Sequence, residues 1–181
     1  MGVNFVRFIH NMHPLVFLAK SAIENYIKEG KIIEPPENLP KEFLEKKAGT
    51  FVTIEKNGEL RGCIGTYLPT RENIAKEVIY NAIAAATEDW RFGPVEKEEL
   101  PYLSYTVYIL SEPKLVKDLK ELDPKKYGII VKSGFKSGLL LPDLEGVDTV
   151  EKQIFIACQK AGINPFEEKI SIFKFTVQKF K

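Results

Sequence analysis

The chain has 181 residues, 26 of them basic and 25 acidic, with 44% hydrophobic and 28% charged residues. That length suits one compact domain with room for a small appended lobe, and the apolar content is enough for a sizeable core. The near-cancelling charge excludes a global field drawing the chain to nucleic acid or membrane, and two cysteines make neither a disulfide framework nor a cluster site.

Abundant charge with little Gln matches a heat-adapted composition. Residues 1–13 read as an N-terminal extension. Its apolar stretch, Phe5-Val6-Arg7-Phe8-Ile9-His10, is too short and interrupted for a signal peptide or membrane span, so a soluble cytoplasmic protein is expected. His10 and His13 could share a metal on a helix, but no third ligand joins them, and they read as surface histidines.

Pro14 opens a helix whose apolar stripe runs from Leu15 to Ile27, with Gly30 as its left-handed cap. Prolines 35, 36 and 40 mark a linker and a short helix near Glu42–Lys46. Thr50 to Thr66 reads as a hairpin about Asn57-Gly58, the favoured type I′ turn. Simple alternation then pairs Ile54 with Arg61 and Val52 with Cys63. It puts Arg61, Cys63 and Gly65 on one face and Leu60, Gly62, Ile64 and Thr66 on the other.

Thr70 can cap a helix running to about Glu88, stopped by Asp89-Trp90-Arg91-Phe92-Gly93-Pro94. Tyr102–Leu110 is β-prone, and Tyr127–Lys132 and Gly138–Leu141 read as strands joined by the loop 133–137. Asp148 and Glu151 spell a capping box for a last helix with Cys158 on its apolar stripe. Ile170–Gln178 alternates as a final strand. No internal repeat or low-complexity segment is evident. Strands in hairpins predict an α+β fold, a mainly antiparallel sheet flanked by helices, with a small second lobe allowed within residues 14–181.

The run Leu60-Arg61-Gly62-Cys63-Ile64-Gly65-Thr66 resembles the hallmark of the AMME syndrome candidate gene 1 family, the AMMECR domain. The alanine-rich stretch from Ala82 leads into Asp89, Arg91, Phe92 and Pro94, similar to that family's Asp-x-Arg-Phe-x-Pro signature. Gly138-Leu139-Leu140-Leu141-Pro142 and Lys160-Ala161-Gly162 follow in order. The resemblance implies a compact α/β domain with a smaller lobe. For a prokaryotic chain it also implies protein A of the AmmeMemoRadiSam system, associated with a Memo-like and a radical-SAM-like protein. It names no reaction, and no cofactor or metal is expected.

Arg61 and Cys63, two residues apart on a strand, stand roughly 6.5–7 Å apart. A guanidinium near a thiol favours the reactive thiolate. Gly62 and Gly65 would admit a ligand or another backbone. A nucleophilic Cys63, a ligand- or partner-binding surface that includes Thr66, and a purely structural strand all remain open. Asp89 could serve as a general base, and Arg91 could grip a carboxylate or phosphate, with Phe92 beside them. The alternative is a charged helix stop anchored by Phe92. The loop 133–138 lacks the P-loop order, and the lysines of 114–136 are interrupted by acids, so no nucleic-acid partner is expected.

Overall fold

The computed structural model describes residues 12–181, which form two compact units, residues 12–109 with 178–181 and residues 110–177. His10 lies outside the described residues.

In the first unit, α1 (Pro14–Glu29) starts on a half-buried His13, whose ring nitrogen accepts the Leu15 N–H, and ends on Gly30 at φ 66°. His13 also stacks on Phe180 with 4.0 Å between ring centroids. It is therefore a cap and packing group, which corrects its reading as a surface histidine. Burial lowers its pKa, and Glu42 opposes that shift. A short α2 (Lys41–Glu45) precedes the hairpin of β1 (Thr50–Lys56) and β2 (Glu59–Thr66). Asn57 and Gly58 both take positive φ, as a type I′ turn requires.

Helix α3 (Ile74–Thr87) is capped by Asn73, whose side chain accepts the Lys76 N–H. Thr70, the expected cap, instead donates to Glu77 on that helix. A 3₁₀ turn (Lys97–Tyr102) leads into β3 (Leu103–Leu110). With β8 (Val177–Phe180), the sheet order is β2-β1-β3-β8. The core is apolar side chains of α1, α3, β1 and β3, including Leu15, Leu18, Ile23, Val52, Ile54, Val78, Ile79 and Val107. Alanines 75, 82, 85 and 86 let α3 lie close on the hairpin.

The second unit holds β4 (Lys114–Leu115), β5 (Gly128–Ser133), β6 (Lys136–Leu140), α4 (Val150–Lys160) and β7 (Ser171–Phe175). Its sheet order is β4-β7-β5-β6. Ser133 pairs with Lys136, so the expected five-residue loop is a two-residue turn at Gly134-Phe135. Thr149 caps α4, while Asp148, the expected cap, pairs with Lys125 at 2.9 Å. The expected final strand is broken at Thr176 into β7 and β8, which belong to different sheets.

No repeat is legible in the sequence, yet the two units share one topology. Each is a hairpin, a helix and a returning antiparallel strand, with strand orders β2-β1-β3 and β6-β5-β7. The helix contact is also shared. A Cβ on Gly62 would come within 2.2 Å of the Ala85 carbonyl oxygen, and one on Gly138 within 2.0 Å of that of Ala157. Both glycines are there because a helix backbone lies directly against the strand.

Candidate functional site

The hairpin departs from simple alternation at one residue. Lys56 pairs with Glu59 and Glu55 with Leu60, but Ile54 pairs with Gly62, leaving Arg61 as the extra residue of a β-bulge. Cys63 therefore faces Thr53 rather than Val52, and Ile64 faces Val52. The Thr53 hydroxyl donates to Cys63 Sγ at 3.2 Å, and Tyr108 also bonds to Thr53. Burial raises the Tyr108 pKa, and the nearby Cys63 adds to that rise. Cys63 is half-buried and in no disulfide, whereas Cys158 is wholly buried.

The bulge sends Arg61 away from the thiol. Its Nε and Nη2 donate to the two carboxylate oxygens of Glu99 at 2.9 and 2.8 Å, and its Nη1 and Nη2 donate to the carbonyls of Gly93 and Pro94. This two-point grip, the strong geometry for a guanidinium and a carboxylate, ties β2 to the loop after α3. Glu99 also accepts from Lys56 and from the Glu96 N–H. The Arg61 hydrogen bond is the main reason that its pKa falls to about 2.

The cation within electrostatic reach of the Cys63 thiol is Arg91, whose own pKa the thiol helps to raise, after the larger effect of Asp89. Asp89 is buried, while the Arg91 side chain is 44% exposed. Asp89 Oδ2 accepts the Cys63 N–H at 2.9 Å, and the Arg91 guanidinium donates to both carboxylate oxygens at 2.9 and 2.7 Å. Arg91 Nη2 also reaches the Cys63 carbonyl at 3.5 Å. These donors, led by Arg91, hold the Asp89 pKa at about 2. A carboxylate that acidic is a poor general base, so Asp89 is an anchor for Arg91 and for the Cys63 backbone.

Three other expected site residues are occupied internally. The Ala85 carbonyl fills the space beside Gly62, and the Phe51 ring covers Gly65, where a Cβ would lie 2.3 Å from the ring. The Thr66 hydroxyl donates to the buried Glu77 at 2.6 Å and accepts from Asn81. Of the two neighbours these glycines would admit, a ligand or another backbone, the side that a Cβ would take holds backbone, the Ala85 carbonyl at Gly62 and the Thr50 carbonyl at Gly65. Phe92 is half-buried beneath Arg91, whose guanidinium carbon lies 5.4 Å from the ring centroid. Val95 is the buried anchor of this loop, and the neighbouring Trp90 is 92% exposed.

Sequence reasoning missed Glu99 and Thr53. The spacing Glu96-x-x-Glu99 before a helical turn is a signal for the first, since Glu99 accepts the Glu96 N–H as an N3 acid does. Thr53 is found only once the bulge is known. Among the described residues, no three His, Cys, Asp or Glu side chains form a metal-binding group, and no helix is long and apolar enough to cross a membrane.

Residues 16–180 match the family model described as AMMECR1. A Thermotoga maritima protein is 55% identical, covering 93% of this chain and 98% of its own length. One from Clostridium acetobutylicum is 47% identical over 93% of this chain, which spans only 36% of that longer protein. The crystal structure of an uncharacterized Pyrococcus horikoshii protein superposes with a TM-score of 0.85 at 37% identity, covering 91% of this chain and 88% of that one. The chain belongs to the AMMECR1 family.

Proposed function

We propose that the edge of β2 at Cys63 is a binding site for a small anionic ligand, with Cys63 as a thiol that assists its chemistry. One observation carries this reading. Cys63 Sγ accepts a hydroxyl donor from Thr53, while Arg91, held by Asp89, reaches the Cys63 carbonyl and puts positive charge within electrostatic reach of the thiol. A donor and a cation both favour the thiolate, which is the nucleophilic form. Arg91 also keeps an exposed side through which it can meet a carboxylate or phosphate. The site works in the cytoplasm, where a thiol stays reduced. Its ligand is handled together with Memo-like and radical-SAM-like proteins, as the family resemblance implies.

Charge selectivity of alkylation tests this. Iodoacetate and iodoacetamide differ mainly in the carboxylate. The ratio of their rates at Cys63 is expected to exceed that of a small free thiol, and to fall to the free-thiol value in Arg91→Ala. A ratio that ignores Arg91 would contradict an anion site.

A second reading, a non-catalytic adaptor, is favoured by Trp90, an almost fully exposed aromatic between Asp89 and Arg91. Exposed aromatics of this kind anchor protein interfaces. It predicts a stoichiometric partner lost on Trp90→Ala and retained on Cys63→Ser.

A further inference from the structure

Strand β2 lies at the edge of its sheet among the described residues. Edge strands offer unpaired N–H and C=O groups to any strand that can approach. In an antiparallel ladder, every second residue turns both groups away from its neighbour. Cys63 is such a residue, because its N–H leaves the hairpin to reach Asp89 at 2.9 Å and its carbonyl receives Arg91 at 3.5 Å. One side chain supplies the acceptor and the other the donor that an added strand would bring.

We propose that Asp89 and Arg91 act as a surrogate strand that closes the edge of β2 against pairing with a second copy of this chain. The segment Gly62-Cys63-Ile64-Gly65-Thr66 is uncharged. Antiparallel pairing of two copies about Cys63 sets Arg61 of each copy opposite the uncharged Gly65 of the other, so no like charges face each other, and a two-fold contact of this kind is self-complementary. The neighbouring bulge at Arg61 is another device that interrupts edge pairing. The second unit repeats half of the arrangement. There Lys160, at the end of the packing helix, donates to the carbonyl of Leu139 on edge strand β6 at 2.9 Å. Leu139 follows Gly138 as Cys63 follows Gly62, and each glycine packs on a helix carbonyl. A basic side chain thus meets the corresponding edge carbonyl in both units. This role does not depend on thiol chemistry at Cys63.

The test is sedimentation velocity of the full chain over a range of concentrations, for wild type and for the double variant Asp89→Ala, Arg91→Ala. The double variant is expected to gain a concentration-dependent association step that wild type lacks. Under mild oxidation it should also gain a Cys63–Cys63 cross-link. Asp89→Asn keeps an acceptor for the Cys63 N–H and should sediment as wild type does. If the double variant does not fold, Arg91→Ala, which keeps the buried carboxylate, is expected to show a weaker form of the same association. Folded variants that sediment as wild type at every concentration and give no cross-link would overturn the proposal.

Discussion

The Asp89 carboxylate accepts the backbone N–H of Cys63 at 2.9 Å. A residue just past the end of α3 thereby fixes the backbone that carries a thiol on β2, and the same carboxylate holds Arg91 against the carbonyl of that residue. The contact makes the Asp-x-Arg segment and the Gly-Cys-Ile-Gly strand one structural unit.

Acid stability follows from the two depressed carboxylates. Asp89 and Glu99 both ionise near pH 2, well below an ordinary carboxylate. Their side chains are only 5% and 12% exposed, so solvent screening is modest. A folded-state pKa below the unfolded one gives stability that is present above about pH 4 and lost as pH falls toward 2. At neutral pH Asp89 contributes about 2 kcal/mol and Glu99 about 3 kcal/mol. Urea midpoints measured from pH 6 to pH 2 should drop over that window, and Asp89→Asn or Glu99→Gln should flatten the drop.

Gly62→Ala and Gly138→Ala place a methyl against a helix carbonyl in each unit. Neither backbone can yield without moving its helix, and overpacking of this kind costs about 1–3 kcal/mol. Thermal unfolding should show a clear loss for both. Gly93→Ala, where a Cβ meets nothing within 4 Å, should be close to neutral.

Arg61→Ala removes a two-point ion pair and donors to two loop carbonyls. The largely buried Glu99 is left with Lys56 and one N–H, and breaking a buried pair in this way costs about 3–5 kcal/mol at most. The loss should appear in unfolding and in faster proteolysis of residues 93–99. The iodoacetamide labelling rate of Cys63 in folded protein should change little, since Arg91 is the cation at the thiol.

Much of the fold was legible because local chemistry decides it. Gly30 and Asn57-Gly58 take the positive φ expected of them, and the apolar stripes of α1 and α3 pack into the core, with Tyr26 and Ile27 partly buried at its margin. The site was legible as a set of residues and misread in its wiring. A period-two pattern cannot reveal a bulge, so one extra residue at Arg61 changed the partner of Cys63 from Val52 to Thr53. The same residue exchanged the thiol's cation, because Arg61 found Glu99, 38 positions away, and left the thiol to Arg91. Thr149 rather than Asp148 caps α4 because the helix begins one residue later, at Val150, and Asp148 pairs instead with Lys125, distant in sequence. Each of these misreadings is decided by a contact or register that tertiary structure sets.

The most direct test of the thiol site is the rate at which neutral iodoacetamide labels Cys63 in the native protein at pH 7, with the wholly buried Cys158 as internal control. Burial raises the Cys158 pKa, with a further rise from Glu168, so its labelling should be slow. Cys63 is predicted to react at least about tenfold faster than Cys158, and to slow several-fold in Arg91→Ala, as a thiol does on losing a neighbouring cation. Labelling of Cys63 no faster than of Cys158, or unchanged when Arg91 is removed from a folded protein, would contradict the account.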